Sequence, residues 1–163
     1  MSEPRLTVMI VDDDQAFGGE LSDLLQNSGY RPVVCTAVGV ALGVAQQQRP
    51  DIILLDIKLG DVGGYQLAEA LRQDQQLAAV PIIAMSAYFD RQPYAIIRSH
   101  YGIKWFLAKP FNQTDITAII EQALRIGRAV DAPRECDHGP GYGPPETGGL
   151  AAAKQHCTKE ATP

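Results

Sequence analysis

Short apolar runs alternate with amphipathic segments along the chain as far as Val130. Five runs are rich in aliphatic and β-branched residues and have the length of β-strands. These five runs are Leu6–Val11, Pro32–Cys35, Ile52–Asp56, Pro81–Ser86 and Trp105–Ala108. Strands that alternate with helices predict an α/β fold, in which a doubly wound parallel sheet carries helices on both faces. The third run is apolar up to its last residue, as expected for a strand buried on both sides.

Between these runs, apolar residues recur at helical spacing and predict five helices. The apolar residues that mark the five helices are, in chain order, Phe17, Leu21, Leu24 and Leu25; Ala41, Leu42, Val44 and Ala45; Leu67, Ala68 and Leu71; Ala95, Ile96 and Ile97; and Ile116, Ile119, Ile120, Ala123 and Leu124. We expect the first helix to stop at Gly29, because glycine favours helix ends, and Thr114 to lead into the last helix.

The composition changes sharply after Val130. Residues 131–163 are rich in Gly and Pro and poor in large apolar side chains. Such a segment buries too little surface to offset the entropy of ordering, so we expect a domain over 1–130 and a disordered tail over 131–163. The tail contains two Cys and two His, formally a zinc-binding set, but their spacing is unlike that of zinc fingers. It stays open whether these four residues bind a metal ion; they are Cys136, His138, His156 and Cys157.

The overall composition limits the possible partners. The chain has 163 residues, 45% of them hydrophobic, and a net charge of −5. Hence a core can be buried, while the clustered basic surface expected of a nucleic-acid-binding protein is missing from the sequence. No apolar run approaches the roughly 18–20 residues of a membrane span, and the start lacks the features of a signal peptide. Three scattered cysteines do not form a disulfide framework, so we expect a cytoplasmic protein. Cys35 is predicted to be a small buried apolar residue.

Polar side chains follow four of the five predicted strands. Asp12–Asp14 come directly after the first strand, Asp56 ends the third, Ser86 ends the fourth and Lys109 follows the fifth. In open parallel sheets, ligands bind beyond the carboxyl ends of the strands. We therefore expect these groups to converge at one edge of the sheet.

This set of groups suits phosphoryl transfer. Asp12, Asp13 and Asp56 would crowd together and need a cation, and ligands that are all oxygen favour a hard ion, usually Mg²⁺. Lys109 adds a positive charge, and the Ser86 hydroxyl can bind a phosphoryl oxygen. A carboxylate can itself act as the nucleophile and form an aspartyl phosphate. Asp14, by contrast, is predicted to be a helix-start residue favoured by the helix dipole.

Four motifs resemble those of bacterial response regulator receiver domains, which act in two-component signalling. They are "IVDDD", "LLDIKLGDVGG", "IIAMSA" and "KP", at residues 10–14, 54–64, 82–87 and 109–110. The resemblance extends from about Leu6 to Arg128 and points to a single-domain, chemotaxis-regulator-like type. It implies a flavodoxin-like sheet of order 2-1-3-4-5.

The resemblance also implies a role for each site residue. Asp56 would accept the phosphoryl group, Asp13 would bind Mg²⁺ directly and Asp12 through water, and the backbone carbonyl of Lys58 would add a further ligand. Ser86 and Lys109 would bind phosphoryl oxygens, and Ser86 would also take part in the switch. Phe106 occupies the aromatic switch position, and Lys109–Pro110 is expected to be a cis peptide.

The family's partners are a histidine kinase or a histidine phosphotransfer protein as donor, and a downstream protein bound by the surface of helix four, strand five and helix five. We expect no DNA-binding or enzymatic effector domain. Departures from the family pattern are Gly18 and Gly19 in the first helix and Gly60 and Gly63 after the third strand.

Two alternatives stay open. The first is a receiver-like scaffold that does not switch by phosphate. The altered glycines mildly favour it, whereas the complete set of acidic, hydroxyl and lysine positions weighs against it. The second is a phosphohydrolase with an aspartate nucleophile. That class usually has a second Asp two residues after the nucleophile, and this chain has Lys58 there, which weighs against it.

Overall fold

Five parallel strands form the centre of the fold in the computed structural model, which describes residues 5–59, 63–87 and 99–131. The strands are β1 (Thr7–Val11), β2 (Arg31–Cys35), β3 (Ile52–Asp56), β4 (Ile82–Ser86) and β5 (Trp105–Ala108). They pair in the order β2-β1-β3-β4-β5, with every pairing parallel. The predicted α/β fold and strand order are therefore confirmed, and each strand lies within one residue of its predicted limits.

Four helices with defined bounds accompany the strands in the described residues. They are α1 (Gln15–Asn27), α2 (Val38–Gln48), α3 (Gly64–Gln73) and α4 (Gln113–Asp131). They correspond to the first, second, third and fifth predicted helices. The markers of the predicted fourth helix lie outside the described residues, as do Gly60 and nearly all of the predicted tail with its Cys and His residues. No helix within the described ranges has both the length and the apolar character needed to cross a bilayer.

The three central strands, β1, β3 and β4, are buried along their whole length, and alternate residues of each strand point to opposite faces of the sheet. Met9, Val11, Ile53 and Leu55 belong to the core beneath α2 and α3. Their neighbours along the strands belong to the core beneath α1 and α4, and these neighbours are Val8, Ile10, Ile52 and Leu54. The continuous apolar run of β3 thus serves two cores at once, as predicted. Cys35 is buried in the first core, which confirms its predicted place.

Both ends of α1 follow from single residues. Asp14 has an extended backbone, and its carboxylate accepts a hydrogen bond of 3.0 Å from the backbone N–H of Phe17, so it is the N-cap. At the other end, Gly29 adopts a φ of 90°, which glycine reaches without strain. The predicted helix start at Asp14 and stop at Gly29 are confirmed.

The start of α4 differs from the prediction. The side chain of Asn112 accepts a bond of 2.9 Å from the Asp115 N–H, and the Asp115 carboxylate accepts one of 3.1 Å from the Asn112 N–H. This reciprocal pair is a capping box, and it starts the helix at Gln113. The expectation that Thr114 leads into the helix is wrong. The Asn112 side chain already accepts the hydrogen bond of the free Asp115 N–H, and Thr114 lies within the first turn of the helix.

The two glycines of α1 have different surroundings. A Cβ added at Gly18 would lie 3.1 Å from Cγ1 of Val34 on β2, whereas one added at Gly19 would meet nothing within 4 Å. Gly18 therefore allows α1 to approach the edge strand closely. Gly19 has no such role, and it costs helix stability without a packing gain.

Candidate functional site

Three carboxylates meet at the carboxyl ends of β1 and β3. Oxygens of Asp12, Asp13 and Asp56 all lie within 4.8 Å of one another. Asp12 and Asp56 are buried, with 1% and 7% of their surface exposed, whereas Asp13 is exposed. Buried carboxylates at this separation repel each other and are costly unless positive charge is supplied.

The buried Asp12 carboxylate is held at both oxygens. Its Oδ1 accepts a hydrogen bond of 2.9 Å from the Asp14 N–H, and its Oδ2 lies 2.7 Å from the ammonium of Lys109. Its backbone N–H donates to the Cys35 carbonyl of β2 at 3.2 Å. The turn after β1 therefore fixes Asp12 in place, and Asp14 separates from the cluster to cap α1.

Lys109 brings one positive charge to the cluster from the end of β5. Its Nζ pairs with Asp12 at 2.7 Å and lies 3.5 Å from Oδ1 of Asp56. Its backbone N–H donates to the Ser86 carbonyl at 2.9 Å, which ties the ends of β4 and β5 together. The Lys109–Pro110 peptide is cis, as the resemblance implied.

An aromatic ring completes the surroundings of Lys109. The ammonium lies over the ring of Phe17, 4.1 Å from its centroid, and this ring packs edge-to-face on Phe111 at a centroid distance of 5.8 Å. Sequence reasoning placed Phe17 only among the apolar markers of the first helix. Nothing in its spacing indicated a contact with a lysine so far along the chain.

Burial raises the pKa of the Asp56 carboxyl above its ordinary value of 3.8. The ammonium of Lys109 acts in the opposite direction, the Asp12 charge raises the pKa further, and a hydrogen bond from the Lys58 backbone lowers it. Desolvation has the largest effect, because it disfavours the charged carboxylate. The protein alone thus compensates the charge of Asp56 only in part.

The remaining predicted residues lie at the end of β4, just after β3 and within β5. Ser86 is buried at the end of β4, one residue beyond Met85, which pairs with Asp56 in the sheet. Lys58 is exposed just after β3. Phe106 is half-buried within β5 and packs against the core beneath α2 and α3.

A glycine that sequence reasoning passed over also shapes the site. A Cβ added at Gly64 would overlap the backbone oxygen of Asp56 and lie 3.1 Å from Cα of Ile57. The Gly64 N–H donates to the Ile57 carbonyl at 3.0 Å, and the preceding Gly63 adopts a φ of 69°. This glycine pair lets α3 begin directly against the backbone of Asp56. The paired glycines after β3 were the available signal.

The donor set fits a hard divalent cation. Asp12, Asp13 and Asp56 supply carboxylate oxygens, with neither His nor Cys in the group. Lys109 offsets one of the three negative charges, which leaves two for a bound ion to neutralise. Oxygen ligands and this charge suit Mg²⁺.

Comparison with known proteins agrees with this geometry. Residues 8–121 match the response regulator receiver domain. The polar-differentiation response regulator DivK of Brucella anthropi is 33% identical over 106 residues, which cover 65% of this chain and 85% of that protein. DivK of Brucella ovis is 32% identical over the same length.

Solved structures share the fold. Chemotaxis protein CheY4 of Vibrio cholerae superposes with a TM-score of 0.68 at 25% identity, covering 74% of this chain and 99% of that one. The receiver domain of a sensor histidine kinase from Pseudomonas aeruginosa, described with a magnesium ion coordinated in its active-site cleft, gives a TM-score of 0.67 at 26% identity over 75% of this chain and 99% of that one. The chain belongs to the response regulator receiver domain family of two-component signalling.

Proposed function

We propose that the protein is a phosphoacceptor whose Asp56 takes a phosphoryl group from the phosphohistidine of a histidine kinase or a histidine phosphotransfer protein. The observation that carries the proposal is the meeting of three carboxylates with one ammonium: Lys109 pairs with Asp12 at 2.7 Å and lies 3.5 Å from Asp56. A solvated turn of acidic residues does not require a lysine from a distant strand. A site for phosphoryl transfer does, because that chemistry needs positive charge around the transferred group.

The carboxylates of Asp12, Asp13 and Asp56, together with the backbone carbonyl of Lys58, are the groups that would hold Mg²⁺, with Asp12 acting through water. When bound, the ion supplies positive charge that offsets both the carboxylates and the phosphoryl oxygens. The related receiver domain from Pseudomonas aeruginosa, whose cleft is described as coordinating magnesium, supports this assignment.

In the proposed reaction, a carboxylate oxygen of Asp56 attacks the phosphorus atom. The bond between phosphorus and the histidine nitrogen breaks, and the imidazole leaves, so an aspartyl phosphate forms. The ammonium of Lys109 lies close enough to Asp56 to donate a hydrogen bond to a phosphoryl oxygen. The hydroxyl of Ser86, at the end of the neighbouring strand, would bind another.

The phosphoryl group would then shift the population of two conformations. The phosphate would draw Ser86 and Lys109 inward and so displace the ends of β4 and β5. These two ends are joined by the hydrogen bond between the backbones of Lys109 and Ser86. Phe106 lies three residues before Lys109 on β5 and would change its packing. The surface formed by the fourth predicted helix, β5 and α4 would carry this change to a downstream protein.

The test is the mass of the intact protein after incubation with Mg²⁺ and acetyl phosphate. We expect one phosphoryl group to add, and we expect the adduct to disappear when Mg²⁺ is chelated and in Asp56→Asn. Asp14→Asn is the matched control: it removes a neighbouring carboxylate at the same strand end yet retains a side chain that caps α1, so the adduct should persist.

Two other results would overturn the proposal. If neither a small phosphodonor nor a phosphorylated histidine kinase yields an adduct, and the protein also binds no Mg²⁺, the chain is a receiver-like scaffold. If the protein instead hydrolyses unrelated phosphate esters through many turnovers, it is a phosphohydrolase.

A further inference from the structure

We infer that Phe17 is a positioning residue for Lys109: its aromatic face holds the ammonium at the carboxylate cluster, where it is ready to bind the phosphoryl group. The inference rests on the proposed function and assigns a residue to it that the acidic, hydroxyl and lysine motifs do not include. The observation that carries it is the distance of 4.1 Å between Lys109 Nζ and the centroid of the Phe17 ring.

Lys109 needs such support because its side chain is long and partly exposed. A lysine has four rotatable bonds, and 20% of this side chain is accessible to solvent. Its ion pair with Asp12 at 2.7 Å must be exchanged, at least in part, for a phosphoryl oxygen when Asp56 is phosphorylated. A ring face attracts the cation without accepting its N–H bonds in the manner of a carboxylate. Phe17 can therefore keep the ammonium in place while its donors change partners.

The ring is itself fixed at two points. The backbone N–H of Phe17 donates to the Asp14 cap at 3.0 Å, which places the residue in the first turn of α1. The edge of the ring meets Phe111 at an interplanar angle of 81°. Phe111 follows the cis Lys109–Pro110 peptide, so the two rings and the lysine form one packed group. The turn from β1 into α1 thus supplies both Asp12, which pairs with the Lys109 ammonium, and the Phe17 ring, which lies against that ammonium.

The competing explanation is that Phe17 only packs against the core beneath α1 and α4, to which it also belongs. The two roles depend on different properties of the ring. Packing depends on its size and shape, whereas attraction of a cation depends on the negative charge of its face. Fluorine atoms on the ring withdraw this charge and change the shape little, so they separate the two roles.

The experiment replaces Phe17 in the full chain, by site-specific incorporation, with mono-, di- and trifluorinated phenylalanine. The measurement is the rate of Mg²⁺-dependent phosphorylation by acetyl phosphate. We expect the rate to fall stepwise along the series, by about two- to twentyfold in total. The same series at Phe111 is the matched control, because its ring contacts Phe17. A constant rate along the Phe17 series, or an equal trend at Phe111, would overturn the inference.

A second measurement separates failure of this inference from failure of the proposed function. If the unmodified protein forms no aspartyl phosphate, the proposed function is wrong, and the contact is tested by urea unfolding of Phe17→Leu, Lys109→Met and the double variant. We expect Phe17→Leu to lower the folding equilibrium constant about two- to tenfold more when Lys109 is present than after Lys109→Met. Strictly additive effects would show that the ring does not hold the lysine.

Discussion

Replacing Gly64 with alanine should destabilise the protein although alanine is the better helix former. The added Cβ would overlap the backbone oxygen of Asp56 and lie 3.1 Å from Cα of Ile57. Both are main-chain atoms, so no change of rotamer can relieve the contact, and either the start of α3 or the end of β3 must move. Overpacking costs about 1–3 kcal/mol, and a contact with two main-chain atoms belongs at the upper end of this range, which exceeds the gain of about 1 kcal/mol in helix propensity.

Gly19→Ala is the matched control for this substitution. It makes the same chemical change in a helix, but a Cβ at Gly19 meets nothing within 4 Å. We expect it to stabilise the protein by about 0.5–1 kcal/mol, because only the entropy of the unfolded chain and the helix propensity change. Gly18→Ala should lie between the two, since the Val34 side chain at 3.1 Å can shift by a few tenths of an ångström.

The assay is urea unfolding followed by the fluorescence of Trp105, the single tryptophan of the chain. The three variants should keep the slope of the wild-type transition and differ in its midpoint, with Gly64→Ala shifted to lower urea and Gly19→Ala to higher. The proposed phosphorylation of Asp56 should also slow in Gly64→Ala, because the added Cβ presses on the backbone of Asp56 itself. If Gly64→Ala were as stable as Gly19→Ala, the close approach of α3 to β3 would be refuted.

Three further substitutions test other parts of the fold by urea unfolding. Arg72→Lys removes guanidinium hydrogen bonds to three backbone carbonyls in the loops before β4 and β5, so we expect a loss of about 1–3 kcal/mol. Arg125→Lys on the exposed side of α4 should have little effect, and equal effects would show that the three hydrogen bonds of Arg72 do not stabilise the fold. Asp14→Ala should cost about 1 kcal/mol through the lost cap of α1, and recovery in Asp14→Asn distinguishes capping from charge. A hydrogen bond from Gln46 holds the pKa of Asp74 below 3.8, so the contribution of this carboxylate to stability is complete above about that pH and is lost as the pH falls through the lowered pKa. The wild type should therefore lose more stability than Asp74→Asn between about pH 6 and pH 3, and parallel pH profiles would contradict this.

The architecture could be predicted because each strand carries its own signal. The continuous apolar run of β3 requires burial on both faces, and the polar residues that end the strands had to meet at one edge of a parallel sheet. The division of the acidic run was predictable for a similar reason: Asp14 stands where a helix needs a cap, whereas Asp12 and Asp13 lead from the strand into the site.

What could not be predicted depends on contacts between distant segments. Phe17 has the helical spacing of an ordinary core residue, and only the folded chain brings Lys109 over its ring. Nothing in the sequence distinguishes Gly18 from its neighbour Gly19. Their surroundings differ because Val34 of β2 packs against Gly18 and not against Gly19. The start of α4 depended on which neighbouring polar side chain reached the backbone, and Asn112 did.

The most direct test of the central claim is the chemical identity of the phosphorylated residue. After incubation with Mg²⁺ and acetyl phosphate, borohydride reduces an aspartyl phosphate to homoserine, and peptide mass spectrometry locates the converted residue. We predict homoserine at Asp56, with Asp12 and Asp13 unchanged and no conversion when Mg²⁺ is chelated. Conversion at another carboxylate, or none at Asp56 in the presence of Mg²⁺, would contradict its role as the phosphoacceptor.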